Sequence, residues 1–568
     1  MRSTANYFFE GLQETGIEYL FCNLGTDHVP LIEEAARWKR EGRKAPNIIL
    51  CPHENVAVHM ACGYAMATGR GQAVLVHVDA GTANTVMGLH NLFRSRVPVL
   101  LFAGKAPFTL RGELLGSRDS FVNFIQEPYD MASLVRPYVK WCYDLPSPVV
   151  VKEALRRAHS LMHSDPRGPV YLTAAREVLA AECASDQVRS FPAERYGPVA
   201  APGIDETTLA AIADRLLAAR HPLLITAYAG RNPACATIID ELAQLTAMRV
   251  YQSNPIYLNI PHDSPCMAGY AAAEEIGEAD FGLLIDVDVP WIPKFSRENA
   301  DTYWVHVDID VIKKDIPMWG FPSHMRIQAD SYKVLQRLLA IVKSKAQDDY
   351  LRSAQARVAA WAETRQAAAQ ARSALQPAAQ TKISCAFVAA QLRAAMTDDD
   401  ILVHEAITNV VPLLEHIGRN RPGTVFGNGG GGLGFGGGAA LGVKLALPQV
   451  RIFHVTGDAS FCFSAPTPVY IVAKQYQLPI FTVVLDNGGW GAVKGATLRV
   501  YPQGEAKSAG DYQAAITPGI RYEKVGEAAD AYGENIDSAA EVPAAIARCL
   551  DALRSGRSAI LVVRLDPI

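Results

Sequence analysis

The sequence predicts an α/β protein of three doubly wound domains, each a parallel sheet with helices on both faces. Three observations carry that expectation. Short apolar, strand-like runs alternate with helix-period segments along nearly the whole chain, the pattern of repeated strand–helix–strand units. The alternation falls into three blocks, residues 1–185, 190–345 and 375–568, and a polar helical stretch rich in Ala, Gln and Arg at 346–375 joins the last two. The 568 residues suffice for about three domains of ordinary size, each with its own core.

In the first block, strands are expected near Tyr19–Phe21, Ile48–Leu50, Val74–Val78, Val97–Phe102 and Val170–Thr173. The second block offers Pro222–Thr226, Phe281–Asp286 and Tyr303–Asp308; the third offers Arg451–Val455, Ile480–Leu485 and Ala559–Val563. Parallel pairing is argued best in the third. Gly457-Asp458-Ala459-Ser460 and Asp486-Asn487-Gly488-Gly489-Trp490 each follow one of these strands, and 26 residues separate Ala459 from Asp486, room for one helical crossover. Both loops should then emerge at the same carboxyl edge, where open α/β sheets bind ligands.

Charge and cysteine usage exclude several classes. The net charge of −4, from 54 basic and 58 acidic residues, provides no basic field for nucleic acid or membrane binding, which leaves small-molecule chemistry. The ten cysteines form no Cys-x-x-Cys pair or zinc spacing, and the first residues lack an apolar signal core, so a reduced, cytoplasmic setting is expected. Apolar runs are short and broken, so no transmembrane helix is expected.

The two loops of the third block would bring a carboxylate, a carboxamide and small residues together. That set suits an oxygen-ligated divalent cation neutralising a diphosphate, with backbone N–H groups completing the cradle. Taken alone, Gly-Asp-Ala-Ser reads first as an ordinary strand–loop–helix with a solvated Asp; the second motif in register argues for the site. Upstream, Gly427 to Gly436 is too glycine-rich for a helix interior and reads as backbone approaching a ligand. A flexible linker is the alternative, opposed by the apolar Leu433 and Phe435 and by the helical run Ala439–Leu447 that follows. Near the N-terminus, Glu54 opens a helical segment after the strand Ile48–Leu50, where it would also suit the helix dipole. The strand ending at Val78 delivers His77 to an expected loop, Asp79–Asn84.

Together these motifs resemble the thiamine diphosphate signature, Gly-Asp-Gly followed after one crossover by Asn-Asn. The resemblance covers essentially the whole chain and implies the pyrimidine-binding, middle and diphosphate-binding domains of the acetolactate synthase, pyruvate oxidase and benzoylformate decarboxylase superfamily. Carried over by position, it makes Asp458 and Asn487 side-chain ligands of Mg²⁺ and Gly489 a carbonyl ligand. Ser460, Gly457, Ala459 and Thr408 become cofactor contacts, Gly431 the carbonyl partner of the aminopyrimidine, and Leu433 the apolar support under the cofactor's bend. Ala459 stands for the family's Gly and Asp486 for its first Asn; neither position is a metal-ligand side chain. Glu54 takes the place of the carboxylate that exchanges a proton with the pyrimidine ring.

His77 and Thr26 resemble the proton shuttle and the carboxylate-binding hydroxyl of benzoylformate decarboxylase, whereas Gln126-Glu127 resembles a segment of acetolactate synthases. Trp490, Ala492, Val493 and Ala496 fall in the segment that lines the substrate pocket of relatives. For His28, His53, His59 and His404 no comparable setting exists, and solvated or structural roles are expected. The implied activity is decarboxylation of a 2-oxo acid through an acyl-anion intermediate. The alternatives are an acetolactate synthase-like carboligase that passes the acyl group to an acceptor aldehyde, and a 2-hydroxyacyl-CoA or oxalyl-CoA lyase. The last is disfavoured because Asp566-Pro567-Ile568 follows the final strand directly, with no tail expected to cover a CoA. A catalytically silent subunit would have lost Glu54 or the metal ligands, and all are present. The family also implies a homodimer or homotetramer in which Glu54 and Asp458 of different chains share one site. FAD or ADP is not supported, since Ala227–Asn232 offers only a lone glycine turn.

Overall fold

The computed structural model describes residues 1–273, 275–373 and 382–566, so the expected boundary at 375 and the last two residues, Pro567 and Ile568, lie outside the described residues. Three six-stranded sheets follow one another along the chain, and every strand pair within them is parallel. The first comprises Tyr19–Cys22 (β1), Asn47–Leu50 (β2), Gln72–Val76 (β3), Val99–Lys105 (β4), Cys142–Asp144 (β5) and Val170–Ala175 (β6). The second comprises Pro222–Thr226 (β7), Arg249–Gln252 (β8), Met267–Gly269 (β9), Phe281–Ile285 (β10), Tyr303–Asp308 (β11) and Met325–Gln328 (β12). The third comprises Ile401–Glu405 (β13), Val425–Phe426 (β14), Ile452–Gly457 (β15), Phe481–Asp486 (β16), Tyr532–Ile536 (β17) and Ala559–Arg564 (β18). The three-sheet α/β class expected from the sequence is the class observed.

The first and third sheets share one topology, β2-β1-β3-β4-β6-β5 and β14-β13-β15-β16-β18-β17. In each, the chain moves outward from the first strand to the second and then returns to the other side of the first. That reversal leaves a crevice at the carboxyl ends of β1 and β3, and likewise of β13 and β15. The crossover inferred between the two third-block motifs is present: helices Asp458–Phe463 and Pro466–Gln475 lead from β15 to its parallel neighbour β16, with Gly457 opposite Leu485.

Helices Glu54–Thr68 and Gly436–Ala446 join the first and third sheets. The former is buried from Glu54 to Met66, as befits a helix apolar on all sides. It starts at His53, whose Nδ1 accepts the Asn55 N–H at 3.0 Å, and stops at Gly69, where φ is +71°. Its packing with Gly436–Ala446 is backbone-close. A Cβ on Gly63 would stand 2.1 Å from the Ala439 carbonyl oxygen, and one on Gly442 would stand 2.0 Å from that of Met60. Only glycine fits at either point.

A second tie links the first and middle sheets. Arg96, which ends helix Val78–Ser95 in the left-handed conformation, donates to Asp288 at 2.7 Å and to Asp310 at 2.8 Å. Lys313 is fully buried beside them and donates to Asp288, Asp308 and Tyr228 at 2.7–2.8 Å. No described helix is long and apolar enough to cross a membrane.

The helix crossing makes a stability prediction. Gly442→Val should destabilise the protein by about 1–3 kcal/mol or more, because close-packed backbone must separate to admit the side chain. Gly320→Val, where a Cβ meets nothing within 4 Å, should stay within about 0.5 kcal/mol of wild type. Equal denaturant midpoints for the two variants would contradict the close crossing.

Candidate active site

At the crevice of the first sheet, the chain leaves β1 through Gly25 into a single 3₁₀ turn, Thr26–His28, and leaves β3 at His77. The two segments meet through Asp27, a residue the sequence reading passed over. Its Oδ1 lies 2.6 Å from His77 Nδ1, and its Oδ2 accepts the Val78 N–H at 3.2 Å. On the far side of the ring, His77 Nε2 lies 3.0 Å from Gln126 Oε1. The hydrogen bond to Asp27 raises the pKa of His77 against the opposing effect of partial burial. Burial pushes the Asp27 carboxyl up, but the His77 hydrogen bond and the neighbouring imidazoles outweigh it and hold the group below its ordinary value. Thr26 is exposed beside this cluster, its carbonyl 3.4 Å from Arg176 Nη1.

Residues 79–84, expected as a loop, form the first turns of helix Val78–Ser95. Asp79 in the opening turn favours a helix start, and Gly81 lets the turn lie close against Val76. The consequence for Glu54 is direct. Asn84, brought round by that helix, donates to Glu54 Oε2 at 3.1 Å and so orients a carboxylate that is 8 % exposed. Glu54, His77, Thr26 and Gln126 therefore gather around one end of the first sheet.

The remaining candidates gather on the third sheet. Asp458 opens the short helix after β15, with Ala459 and Ser460 buried in its first turn. Asn487, Gly488 and Gly489 follow β16, strapped by hydrogen bonds from Ile516 N–H to Gly488 O and from Trp490 N–H to Ala514 O, both 2.8 Å. The end of the Asn487 side chain stands 3.0 Å from Gly489 O and 3.2 Å from Asp458 Oδ1. With its nitrogen inward it bridges the two; with its oxygen inward it completes a cluster of three oxygens suited to a hard divalent cation. The other Asp458 oxygen, Oδ2, is buried without a protein partner. Burial, reinforced by Asp486, raises the pKa of Asp458 to about 6. Asp486, the departure from the family's first Asn, accepts the Gly488 N–H at 3.1 Å and so shapes the turn.

Around Gly431, Gly457 and Gly488 the space a Cβ would fill is empty, room for a group lying against the backbone. The glycine-rich segment is a fixed loop from Gly427 to Phe435. Asn91 exchanges two hydrogen bonds of 3.0 Å with Gly432, and His90 Nε2 lies 2.9 Å from Gly430 O. Gly431 stands exposed between them with φ +72°, and Leu433 is half-buried. The loop's other end is clamped by Glu405, which the sequence reading also missed. Its carboxylate accepts the N–H groups of Gly434, Phe435 and Gly436 at 2.8, 3.1 and 3.0 Å. Burial raises the pKa of Glu405 to about 7 while the three N–H groups pull it down.

Thr408 is exposed in the turn Ile407–Asn409, which touches β15 and helix Gly491–Val500. That helix presents Ala492, Val493 and Ala496 to solvent after a half-buried Trp490. The histidines set aside from chemistry are held by backbone or buried. His53 caps its helix; His28 Nδ1 accepts the Gly25 N–H; His59 lies 3.0 Å from Asn55 O and 3.1 Å from Asn91 Nδ2. His404 is buried, which pushes its pKa down to about 4.

Comparison with known proteins matches these two regions to two family models. Residues 2–134 match the thiamine pyrophosphate enzyme N-terminal TPP binding domain, and residues 408–563 match the C-terminal TPP binding domain. The chain is 26 % identical over 500 residues to benzoylformate decarboxylase of Pseudomonas aeruginosa, covering 87 % of this chain and 88 % of that one. It is 24 % identical over 543 residues to acetolactate synthase isozyme 3 large subunit of Escherichia coli, covering 91 % and 88 %. Its fold superposes on a thiamine diphosphate-dependent 4-hydroxybenzoylformate decarboxylase of Rhodococcus jostii with a TM-score of 0.80 over 100 % of both chains, at 20 % identity. The chain is therefore a member of the thiamine pyrophosphate enzyme family, with its two cofactor-binding regions on the first and third sheets.

Proposed function

We propose that this enzyme is a Mg²⁺-requiring, thiamine diphosphate-dependent 2-oxo acid decarboxylase of the benzoylformate decarboxylase kind. The observation that carries the reading is His77, held between Asp27 and Gln126 beside Thr26 at the ligand-binding edge of the first sheet. In this reading Asp458, Asn487 and the Gly489 carbonyl hold the cation. Thr408, Gly457, Ala459 and Ser460 receive the diphosphate, Gly431 and Leu433 the pyrimidine end. The bound cofactor supplies a nucleophilic carbon and an electron sink for the bond to the departing CO₂.

The chain's own groups supply position and protons. Glu54, oriented by Asn84, holds a proton-exchanging carboxylate in a largely water-excluded place. The Thr26 hydroxyl binds the substrate carboxylate, and His77 Nε2 gives and takes protons near neutrality. Trp490, Ala492, Val493 and Ala496 border the substrate. A second reading, an acetolactate synthase-like carboligase, is favoured by Gln126 lying on His77 itself. FAD and ADP stay outside the proposal.

Two copies of the chain, in a homodimer or homotetramer, complete the site in this reading. Phe121, Phe124, Ile125 and Tyr129 are exposed around Gln126, and so are Ile407 and Val493 around the third-sheet cluster. Apolar side chains exposed on both half-sites suit burial against a second copy.

Two measurements test these proposals. Asp458→Ala should weaken Mg²⁺-dependent thiamine diphosphate binding by more than the roughly 10- to 100-fold that loss of an outer-shell partner costs. When its chains are exchanged with inactive Glu54→Gln chains, activity should return; unchanged cofactor affinity or no recovery after verified exchange would contradict the metal site or the shared site respectively. A screen of 2-oxo acids with and without an acceptor aldehyde should yield CO₂ and free aldehyde, and His77→Ala should slow aldehyde release by about 10²- to 10⁴-fold. Release of coupled hydroxyketone alone, with no free aldehyde, would move the assignment to the carboligase.

A further inference from the structure

The ring of His77 lies between two acceptors. Asp27 Oδ1 faces Nδ1 at 2.6 Å and Gln126 Oε1 faces Nε2 at 3.0 Å. A neutral imidazole can donate to only one of them, so this arrangement is fully satisfied only when both ring nitrogens carry protons. The two acceptors differ in what they permit. Asp27 is 3 % exposed and cannot turn: Val78 N–H holds its Oδ2, and a Cβ on Gly104 would stand 2.0 Å from that oxygen. Gln126 is half-buried, and its amide can present either oxygen or nitrogen to Nε2.

We propose that Asp27 is a positioning residue that keeps a proton on His77 Nδ1, so that Nε2 alone exchanges protons and the Gln126 amide turns over with each exchange. When Nε2 gives up its proton, the bonding pair stays on the ring, the receiving carbon's own electron pair forms the new C–H bond, and Gln126 turns its NH₂ toward the bared nitrogen. When Nε2 regains a proton, the amide oxygen turns back. The inference deepens the decarboxylase reading and rests on it for what receives the proton. The same contact explains how one site combines a histidine of the decarboxylase type with a glutamine of the synthase type: here they are consecutive members of one chain of hydrogen bonds.

The groups that set the behaviour of His77 are few. Asp27, from the turn after β1, favours the charged ring most; partial burial opposes it, and the Gln126 oxygen and Asp79, from the helix that follows His77, add to the support. His28, behind Asp27, is itself pushed down by burial and by the His77 charge. In the folded protein the charged imidazole is therefore retained to higher pH than in a free histidine. Removing the Asp27 charge should bring its deprotonation to lower pH.

The test uses the cofactor-loaded enzyme with Mg²⁺. Asp27→Asn keeps the size of the side chain and its acceptor for Val78 N–H. In this variant the basic limb of the kcat–pH profile should move acidward, and kcat should fall about 10- to 100-fold, less than for His77→Ala. In a His77→Ala background, Asp27→Asn should have no further effect, since it acts only through the ring. Gln126→Ala should leave the Nδ1 proton in place while slowing turnover. Nitrogen-15 spectra of histidine-labelled protein, with the His77 signal found by its loss in His77→Ala and recorded where the ring is neutral, should show the proton on Nδ1 in wild type and on Nε2 in Asp27→Asn, whose amide NH₂ faces Nδ1 while its oxygen keeps Val78 N–H. An unmoved pH profile, equal losses for Asp27→Asn in both backgrounds, or a wild-type proton on Nε2 would overturn the relay. If no 2-oxo acid is turned over but the tautomer still depends on Asp27, the relay stands and the decarboxylase reading falls.

Discussion

Nearly every candidate group hangs from one constraint, the contact of helix Glu54–Thr68 with helix Gly436–Ala446 at backbone distance. Glu54 is the first residue of one helix, and the glycine-rich loop runs straight into the other. Because Gly63 meets a carbonyl at the crossing and Gly442 meets another, neither helix can slide without a steric clash. Asn55, one residue beyond Glu54, donates to the Gly434 carbonyl at 3.0 Å and carries the same registration to the loop. The sheets provide two crevices of identical topology; the crossing fixes how those crevices are placed.

Three buried carboxylates show how environment divides their roles. Glu405 has its oxygens filled by three backbone N–H groups and holds shape. Asp27 is filled by one N–H and one imidazole, so it can transmit its charge to a group that titrates. Asp458 keeps a buried oxygen with no partner, at a cost in free energy that a cation would remove. A buried carboxylate thus clamps backbone, holds an imidazole or keeps an open oxygen, according to what it meets.

The sequence made the central strands legible because strands covered on both faces read as unbroken apolar runs; Phe281–Ile285 and Phe481–Asp486 are such cases. Most edge strands were not, Asn47–Leu50 excepted: Cys142–Asp144 and Met325–Gln328 are short and partly exposed, and Tyr532–Ile536 is partly exposed. The inner strand Ile401–Glu405, though fully buried, ends in His and Glu. The local motifs could be read because each lies within a few residues: the Asp458 loop, the Asn487 loop, Glu54 with its helix. Asp27 and Glu405 could not, since their partners lie 50 and about 30 residues away and only folding brings them together. A signal for Glu405 did exist. A row of glycine N–H groups that starts a helix needs an acceptor, and a strand ending in Glu at the same sheet edge is the available one.

In the function proposed above, this framework holds thiamine diphosphate with Glu54 as its proton-exchanging partner. The most direct measurement is hydrogen–deuterium exchange at the reactive thiazolium carbon of the bound cofactor, compared between wild type and Glu54→Gln at matched occupancy. The amide keeps the shape and the hydrogen bond with Asn84 but cannot pass a proton, so cofactor affinity should persist while most of the exchange rate is lost. Wild-type exchange in the variant would remove Glu54 from that role.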